Sequence, residues 1–430
     1  MSKTVIETIT GYGYDGEGVC RVNGKVCFVP FTLRDEKVKF KITKDTSSFS
    51  RGEVVDVVTP SGSRMNAPCP YFGKCGGCTY QHTTHQNELN IKKEVLLGQL
   101  RKLNFNKDVK VFASPKEYNY RNKIKLFVDN NKIGLKLRGT NIICEIDECL
   151  IASEVINKAI KTIRTFLMAQ KLFDYYSQVV IRSEENVCIV NFYMKKFKNV
   201  NYQGLYLMLG SNYGIYQTYN HQPEYKIGQK EIEINRFGLD CKFSVNSFHQ
   251  VNDDIEKILY QHVAQAVKGK KIVNCYSGGG VLSGIIALGK NFVTGIELGK
   301  SEHEDAERLK DENNLIYLKN IQGDCAEILP KVNSDVETII VDPPRAGMDK
   351  KVVQAVDATN AQRFIYISCN SATFVRDAQG LKSYNLKEVK LFDMFPRTGE
   401  YEILAIFDKN NWFYLLIVWV LLILYVILSI

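Results

Sequence analysis

The chain has 430 residues, 45% hydrophobic and 24% charged with only 10 prolines, so it is long enough for about two or three packed domains and is neither disordered, collagenous nor low-complexity. Lys and Arg number 56 against 47 Asp and Glu, a formal charge of +9 that favours a polyanionic partner without identifying one. Twelve cysteines and no apolar segment after Met1-Ser2-Lys3-Thr4 argue for a cytoplasmic protein with reduced thiols, in which clustered cysteines are candidate metal ligands.

Residues 1–60 read as short strands divided by Gly-rich turns, with strand-like runs at 25–30, 37–42 and 53–58, the pattern of a small OB-like β-barrel. Arg21, Arg34 and Lys37 lie among aromatics such as Phe40 and suit a surface that follows a phosphate backbone, although a solvated barrel exterior accounts for them as well. The segment 61–250 opens with a Cys/Gly/Pro loop and continues as a mixed α+β domain, with helices at 89–103 and 151–170 and strands at 178–182 and 187–193. From 251 to 409, apolar runs at 271–275, 292–297, 338–341 and 363–368 alternate with helical stretches. That alternation is the signature of an α/β, doubly wound, Rossmann-like sheet.

Residues 410–430 end in 19 uncharged residues from Trp412 onward. As a helix they would span roughly 28 Å, close to a bilayer core. Arg397 and Lys409 ahead of them would keep the body in the cytoplasm and make the tail a C-terminal membrane anchor. A misread end of the coding sequence is the other reading, and a buried terminal helix a third.

Four constellations carry chemistry. Cys69, Cys75 and Cys78 fall within ten residues, among glycines that let the loop fold around a ligand. Three thiolates from one loop plus a distant fourth suit an iron–sulfur cluster, with Cys149 the expected fourth, Cys144 its alternative and zinc the rival metal. Next, the run 271–275 leads into Tyr276-Ser277-Gly278-Gly279-Gly280, where glycines permit close approach of a nucleotide-like cofactor. Glu297 lies where an acidic side chain can accept both ribose hydroxyls, and Asp324 follows a third strand; the three together favour S-adenosylmethionine or a dinucleotide. No Walker lysine is present, which disfavours ATP.

The other two lie at later strand ends. In Asp342-Pro343-Pro344-Arg345 the prolines stiffen the chain and aim a carboxylate into the site, or else merely make a turn. Ser368-Cys369-Asn370 places a thiol on the same rim, a candidate nucleophile where an isolated Cys is ordinarily a small buried hydrophobe. Glu400 and Glu402, within Phe395-Pro396-Arg397-Thr398-Gly399-Glu400-Tyr401-Glu402, are either bases or solvated turn residues.

The cysteine loop, Asp342-Pro343-Pro344-Arg345, Ser368-Cys369-Asn370 and the segment ending in Glu402 together resemble the S-adenosylmethionine-dependent RNA 5-methyluridine methyltransferases, over about residues 5–408. The resemblance implies an N-terminal TRAM barrel that binds RNA, and a monomer. With the cysteine loop, the barrel is similar to the branch that acts on 23S ribosomal RNA; the branch that acts on tRNA is the alternative substrate reading. It further implies a 4Fe-4S cluster on Cys69, Cys75, Cys78 and Cys149. Phe248-His249-Gln250-Val251-Asn252 is similar to the family's F-x-Q-V-N segment, so Gln250 is expected at the cofactor with Tyr276, Gly278, Gly280, Glu297, Asp324 and Asp342, and Phe248 near the target base. Arg121, in Tyr120-Arg121-Asn122-Lys123, is expected to face the RNA, and Asp342 to bond the uracil edge.

Uracil C5 is too weak a nucleophile to attack a sulfonium methyl, so a thiolate must first add at C6; Cys369 supplies it, and the resemblance assigns removal of the C5 proton to Glu402. The target base must be flipped out to reach this rim. Two departures from the family stand out: Asn274 where relatives carry Asp, and Gly279-Gly280-Val281 in place of a more apolar loop. An amino-group methyltransferase would want an aromatic where Arg345 stands, and would leave Cys369 idle. The remaining alternative is a catalytically inactive iron–sulfur RNA-binding protein, which retention of Cys369 with Glu402 opposes.

Overall fold

The structure is a computed structural model, and it describes residues 4–245, 249–332 and 335–410. The hydrophobic tail and Phe248 lie outside the described residues. Among those described, no helix is long and apolar enough to cross a membrane.

The N-terminal six-stranded sheet has the order Thr4–Thr8, Lys37–Asp45, Phe49–Thr59, Lys25–Val29, Gly18–Val22, Gly11–Tyr12. In Lys37–Asp45, Val38 and Phe40 point inward while Lys37, Lys39 and Lys41 face water, the period-two pattern of a half-buried strand. Ile9, Cys20, Cys27, Val29, Val38 and Phe40 form the core of this unit.

A second sheet of seven strands runs Ile143–Glu145, Lys132–Lys136, Lys123–Asp129, Tyr176–Glu184, Val187–Met194, Tyr213–Tyr219, Gln222–Gly228. The amphipathic helix Glu154–Ala169 buries Ile156, Ile160, Ile163 and Leu167 as one stripe at helical spacing, in a single cluster with Leu126, Val179 and Val190 of the sheet.

The third sheet has eight strands, in the order Leu318–Gln322, Phe292–Glu297, Lys271–Cys275, Thr338–Val341, Arg363–Ser368, Glu402–Lys409, Tyr384–Phe392, Lys110–Phe112. The first five are parallel, and the central three, Lys271–Cys275, Thr338–Val341 and Arg363–Ser368, are buried nearly throughout, hence apolar runs such as Thr338–Val341. The order reverses between Lys271–Cys275 and Thr338–Val341, the switch point where doubly wound sheets bind ligands at the carboxyl ends of their strands. Glu402–Lys409 then runs antiparallel beside Arg363–Ser368. Residues from the 61–250 segment complete this layer: Leu96 and Leu100 of the helix His85–Leu100 join its core, and Lys110–Phe112 adds its edge strand.

Candidate active site

The parallel strands deliver the expected residues to one rim. The last paired position between Arg363–Ser368 and Glu402–Lys409 is Ser368 with Ile403, so Cys369 and Glu402 follow on adjacent antiparallel ends and face each other. Asp342 follows the neighbouring pair Val341 with Tyr366. Asn370 then caps the helix Ser371–Ala378, its side chain accepting from the amides of Ala372 and Thr373, which fixes the chain just beyond the thiol.

The electrostatics of this rim are acidic. Burial pushes the Cys369 thiol up to about 12, helped by Glu402 and Asp342 and opposed by Arg345. Glu402 is buried, one carboxyl oxygen has no hydrogen-bond partner, and burial together with Asp342 and Glu400 holds the group well above the usual carboxylate range. Asp342 is raised to about 7 by burial and by Glu256, a residue that the motifs did not single out. Glu400, the other candidate base, is ion-paired with Arg345. Burial among like charges sets Glu402 apart from the partly exposed, ion-paired Glu400.

Cys369, Arg345, Glu400 and Tyr401 line one end of a cavity of about 640 Å³. Cys69, Cys75, Cys78 and Cys149 line the same cavity, together with Arg121, Arg138 and the barrel residues Tyr14, Glu17 and Arg51. Tyr14 bonds through its hydroxyl to Asn370, so the barrel touches the residue next to the thiol. At Gly16, φ is +76° and a Cβ would fall 1.8 Å from the Tyr80 hydroxyl, so only glycine lets the barrel turn close against the loop after Cys78.

The four thiols suit a soft-metal group. Cys75 is raised to about 11 and Cys78 to about 12, each by burial and each sensing Cys69 and Cys149. Thiols so placed are unfavourable as thiolates by themselves, and a bound soft-metal group would relieve them. Among the described residues, no three His, Cys, Asp or Glu side chains gather tightly enough to hold a single metal ion. Cys144, the alternative fourth ligand, is buried and does not line the cavity.

The expected cofactor residues lie apart from that cavity, at the switch point. Tyr276, Gly278 and Gly280 all have positive φ, and a Cβ on Gly280 would come within 2.9 Å of Ala306, so the loop packs against the helix Lys300–Glu312 only as glycine. Glu297 accepts from the amides of Gly278 and Gly299, both at 2.8 Å, which aims its carboxylate at the loop and leaves each oxygen a free lone pair. The exposed Asp324 accepts from the Ala326 amide at the start of Cys325–Val332. Gln250 is buried, and its carbonyl accepts from Asn122, which ties the cofactor segment to the Arg121 segment. Asn274 donates to Ser283 at 2.9 Å and its side-chain oxygen is buried without a partner.

Comparison with known proteins agrees with this arrangement. Residues 224–409 match the family model for tRNA (uracil-5-)-methyltransferase, and residues 4–55 match the TRAM domain. A 23S rRNA (uracil(1939)-C(5))-methyltransferase of Francisella tularensis subsp. novicida is 28% identical, covering 93% of this chain and 96% of its own. An uncharacterized RNA methyltransferase of Aquifex aeolicus is 29% identical over 94% and 98%. The crystal structure of Pyrococcus abyssi tRNA (uracil-54, C5)-methyltransferase with S-adenosyl-L-homocysteine superposes with a TM-score of 0.77 at 25% identity, covering 95% of this chain and all of that one.

The fold and its rim are those of an S-adenosylmethionine-dependent methyltransferase carrying an N-terminal TRAM domain. The chain is an RNA (uracil-5-)-methyltransferase.

Proposed function

We propose that the protein methylates C5 of a uridine in 23S ribosomal RNA through a covalent Cys369 adduct. What carries the reading is the opposition of Cys369 and Glu402 on adjacent strand ends, beside a cavity walled by the barrel. In the proposed sequence Cys369 loses its thiol proton to solvent, the thiolate adds to C6 of the flipped base, and the C5–C6 π pair moves toward O4. Bound S-adenosylmethionine supplies an electrophilic methyl group. Glu402 then removes the C5 proton, the double bond re-forms, and the Cys369 thiolate leaves. Asp342, poised near neutrality, hydrogen-bonds the uracil edge. Gln250, Tyr276, Gly278, Gly280, Glu297 and Asp324 hold the cofactor. Arg121 on the cavity wall meets the RNA backbone.

Cys69, Cys75, Cys78 and Cys149 are assigned to a 4Fe-4S cluster, whose iron would hold all four as thiolates and brace the cavity wall. The choice of 23S RNA follows the sequence relatives. The barrel does not decide it, because the match to a tRNA enzyme already spans 95% of the chain. The test gives anaerobically purified protein labelled S-adenosylmethionine with unmodified 23S RNA and, separately, tRNA. 5-Methyluridine on 23S RNA alone is the expected result; label on tRNA overturns the substrate, and no label on either overturns the activity.

A further inference from the structure

The loop from Asp393 to Tyr401 leads from Tyr384–Phe392 into the strand that begins at Glu402, and groups outside that sheet hold it. Arg397 sits at its centre, buried, with φ +68°. A left-handed non-glycine residue is strained and persists only where its surroundings impose it. Here they do. The Arg397 carbonyl accepts from the amides of Thr79 at 2.8 Å and Tyr80 at 3.0 Å, the two residues after Cys78. Its guanidinium donates to the Thr83 carbonyl at 2.8 Å and pairs with Glu117, and its amide donates to Glu88 at 2.7 Å.

The second tie runs to the other thiol segment. Tyr120 donates to the Pro396 carbonyl at 2.9 Å, while the amides of Asn119 and Arg121 bond the carbonyls of Leu150 and Ile151, immediately after Cys149. Beneath both, Lys92 bonds Glu88, Asp393 and the Phe395 carbonyl, and His85 bonds Asp393 at 2.7 Å. Thr398 closes the turn on the Phe395 carbonyl at 2.8 Å and accepts from the Glu400 amide, so the constraint passes along a short, hydrogen-bonded path toward Glu402.

We propose that Arg397 is a positioning residue through which the thiol segments at Cys78 and Cys149 set the place of Glu402, so that the state of those segments governs release of the finished product rather than attack on the base. The proposal rests on Glu402 being the base. Cys369 stands on a different strand from the loop, so addition and methyl transfer survive loosening of Arg397. Proton removal does not, and without it the C5–C6 double bond cannot re-form to expel Cys369. The enzyme then stays attached to methylated RNA.

The experiment compares full-length wild type, Arg397→Ala, Arg397→Lys, Cys78→Ser and the Cys78→Ser/Arg397→Ala double variant. It measures turnover together with the fraction of protein covalently joined to RNA on a denaturing gel. Arg397→Ala should lower turnover about 100-fold, the loss that a misplacement of about 1 Å can produce, and raise the joined fraction severalfold. Arg397→Lys should recover part of both. Cys78→Ser should move both in the same direction, and the double variant should be no worse than the poorer single one.

Reduced turnover without adduct, or effects that multiply in the double variant, overturns the coupling. If Arg397→Ala does not fold, Glu117→Gln loosens the same guanidinium from a partly exposed partner, and a wild-type adduct level there also overturns it. A wild type that transfers no methyl overturns the proposed function; a methylating wild type with an adduct-free Arg397→Ala overturns only the role of Arg397.

Discussion

The acidity of the rim makes a prediction about the nucleophile before RNA arrives: Cys369 in the ligand-free enzyme should be nearly inert to alkylation at neutral pH. With its thiol pushed up to about 12, against about 8.5 for a free cysteine, the thiolate fraction at pH 7.5 falls from about one in ten to about 3 in 100,000. A more basic thiolate is intrinsically more nucleophilic, with a Brønsted slope of about 0.4–0.5, which returns a factor of about 40 over 3.5 units. The net expectation is a rate about 80-fold below that of free cysteine.

The assay is iodoacetamide labelling of the full chain over pH 7–10.5, following the peptide that contains Cys369 by mass spectrometry. Its rate should climb about tenfold per pH unit across the whole range, while a free thiol levels off just above about pH 8.5. Arg345→Gln removes the cation that opposes the shift and should slow labelling further, by a modest factor because that side chain is largely solvated. Labelling at the free-cysteine rate, or a plateau below pH 9, would refute the inference that burial and the neighbouring carboxyls keep this thiol protonated. Activation would then have to be sought in the resting enzyme rather than in the RNA complex.

Four other outcomes follow from the same structure. Cys369→Ala should abolish methylation and Glu402→Gln should accumulate a covalent RNA adduct on denaturing gels; an active Cys369→Ala enzyme would end the covalent mechanism. Lys92 is fully buried between Glu88 and Asp393, so Lys92→Met strands two carboxylates in the core and should lower stability by about 3–5 kcal/mol in urea unfolding, while a loss under about 1 kcal/mol would show that the network is not what holds this region. His82, stacked on Phe72 at 5.5 Å, is depressed to about 3 by burial and then by Arg64. The unfolded chain takes up that proton first, so stability should fall by up to about 1.4 kcal/mol per pH unit as pH drops from about 6.5 toward 3, and His82→Phe should flatten that part of the stability–pH curve.

Much of this architecture is legible in the residue pattern because the central parallel strands are buried on both faces. Lys271–Cys275, Thr338–Val341 and Arg363–Ser368 read as apolar runs with the bounds that the strands have. The strand Phe49–Thr59 is longer than the run 53–58 that alternation marks, because Gly52 hides its first half; a Cβ there would sit 2.5 Å from the Phe40 ring. Lys110–Phe112 has only three residues and pairs with Tyr384–Phe392 nearly 280 positions away, so no local signal could reveal it.

The same limit applies at the site. Asp342, Cys369 and Glu402 announce themselves as motifs at strand ends. Glu256, which raises Asp342, and Arg397, which reads as one more basic residue in a turn, acquire their roles only from partners distant in the chain.

The bond from Tyr14 to the cap beside Cys369 bears on how the N-terminal module can be handled. A barrel that also supplies the helix cap's neighbour and a wall of the reaction cavity is not an interchangeable RNA-gripping cassette. Grafting the barrel of another enzyme onto this catalytic unit would alter the chemistry along with the choice of RNA, unless the turn at Tyr14 and Gly16 travelled with the recipient.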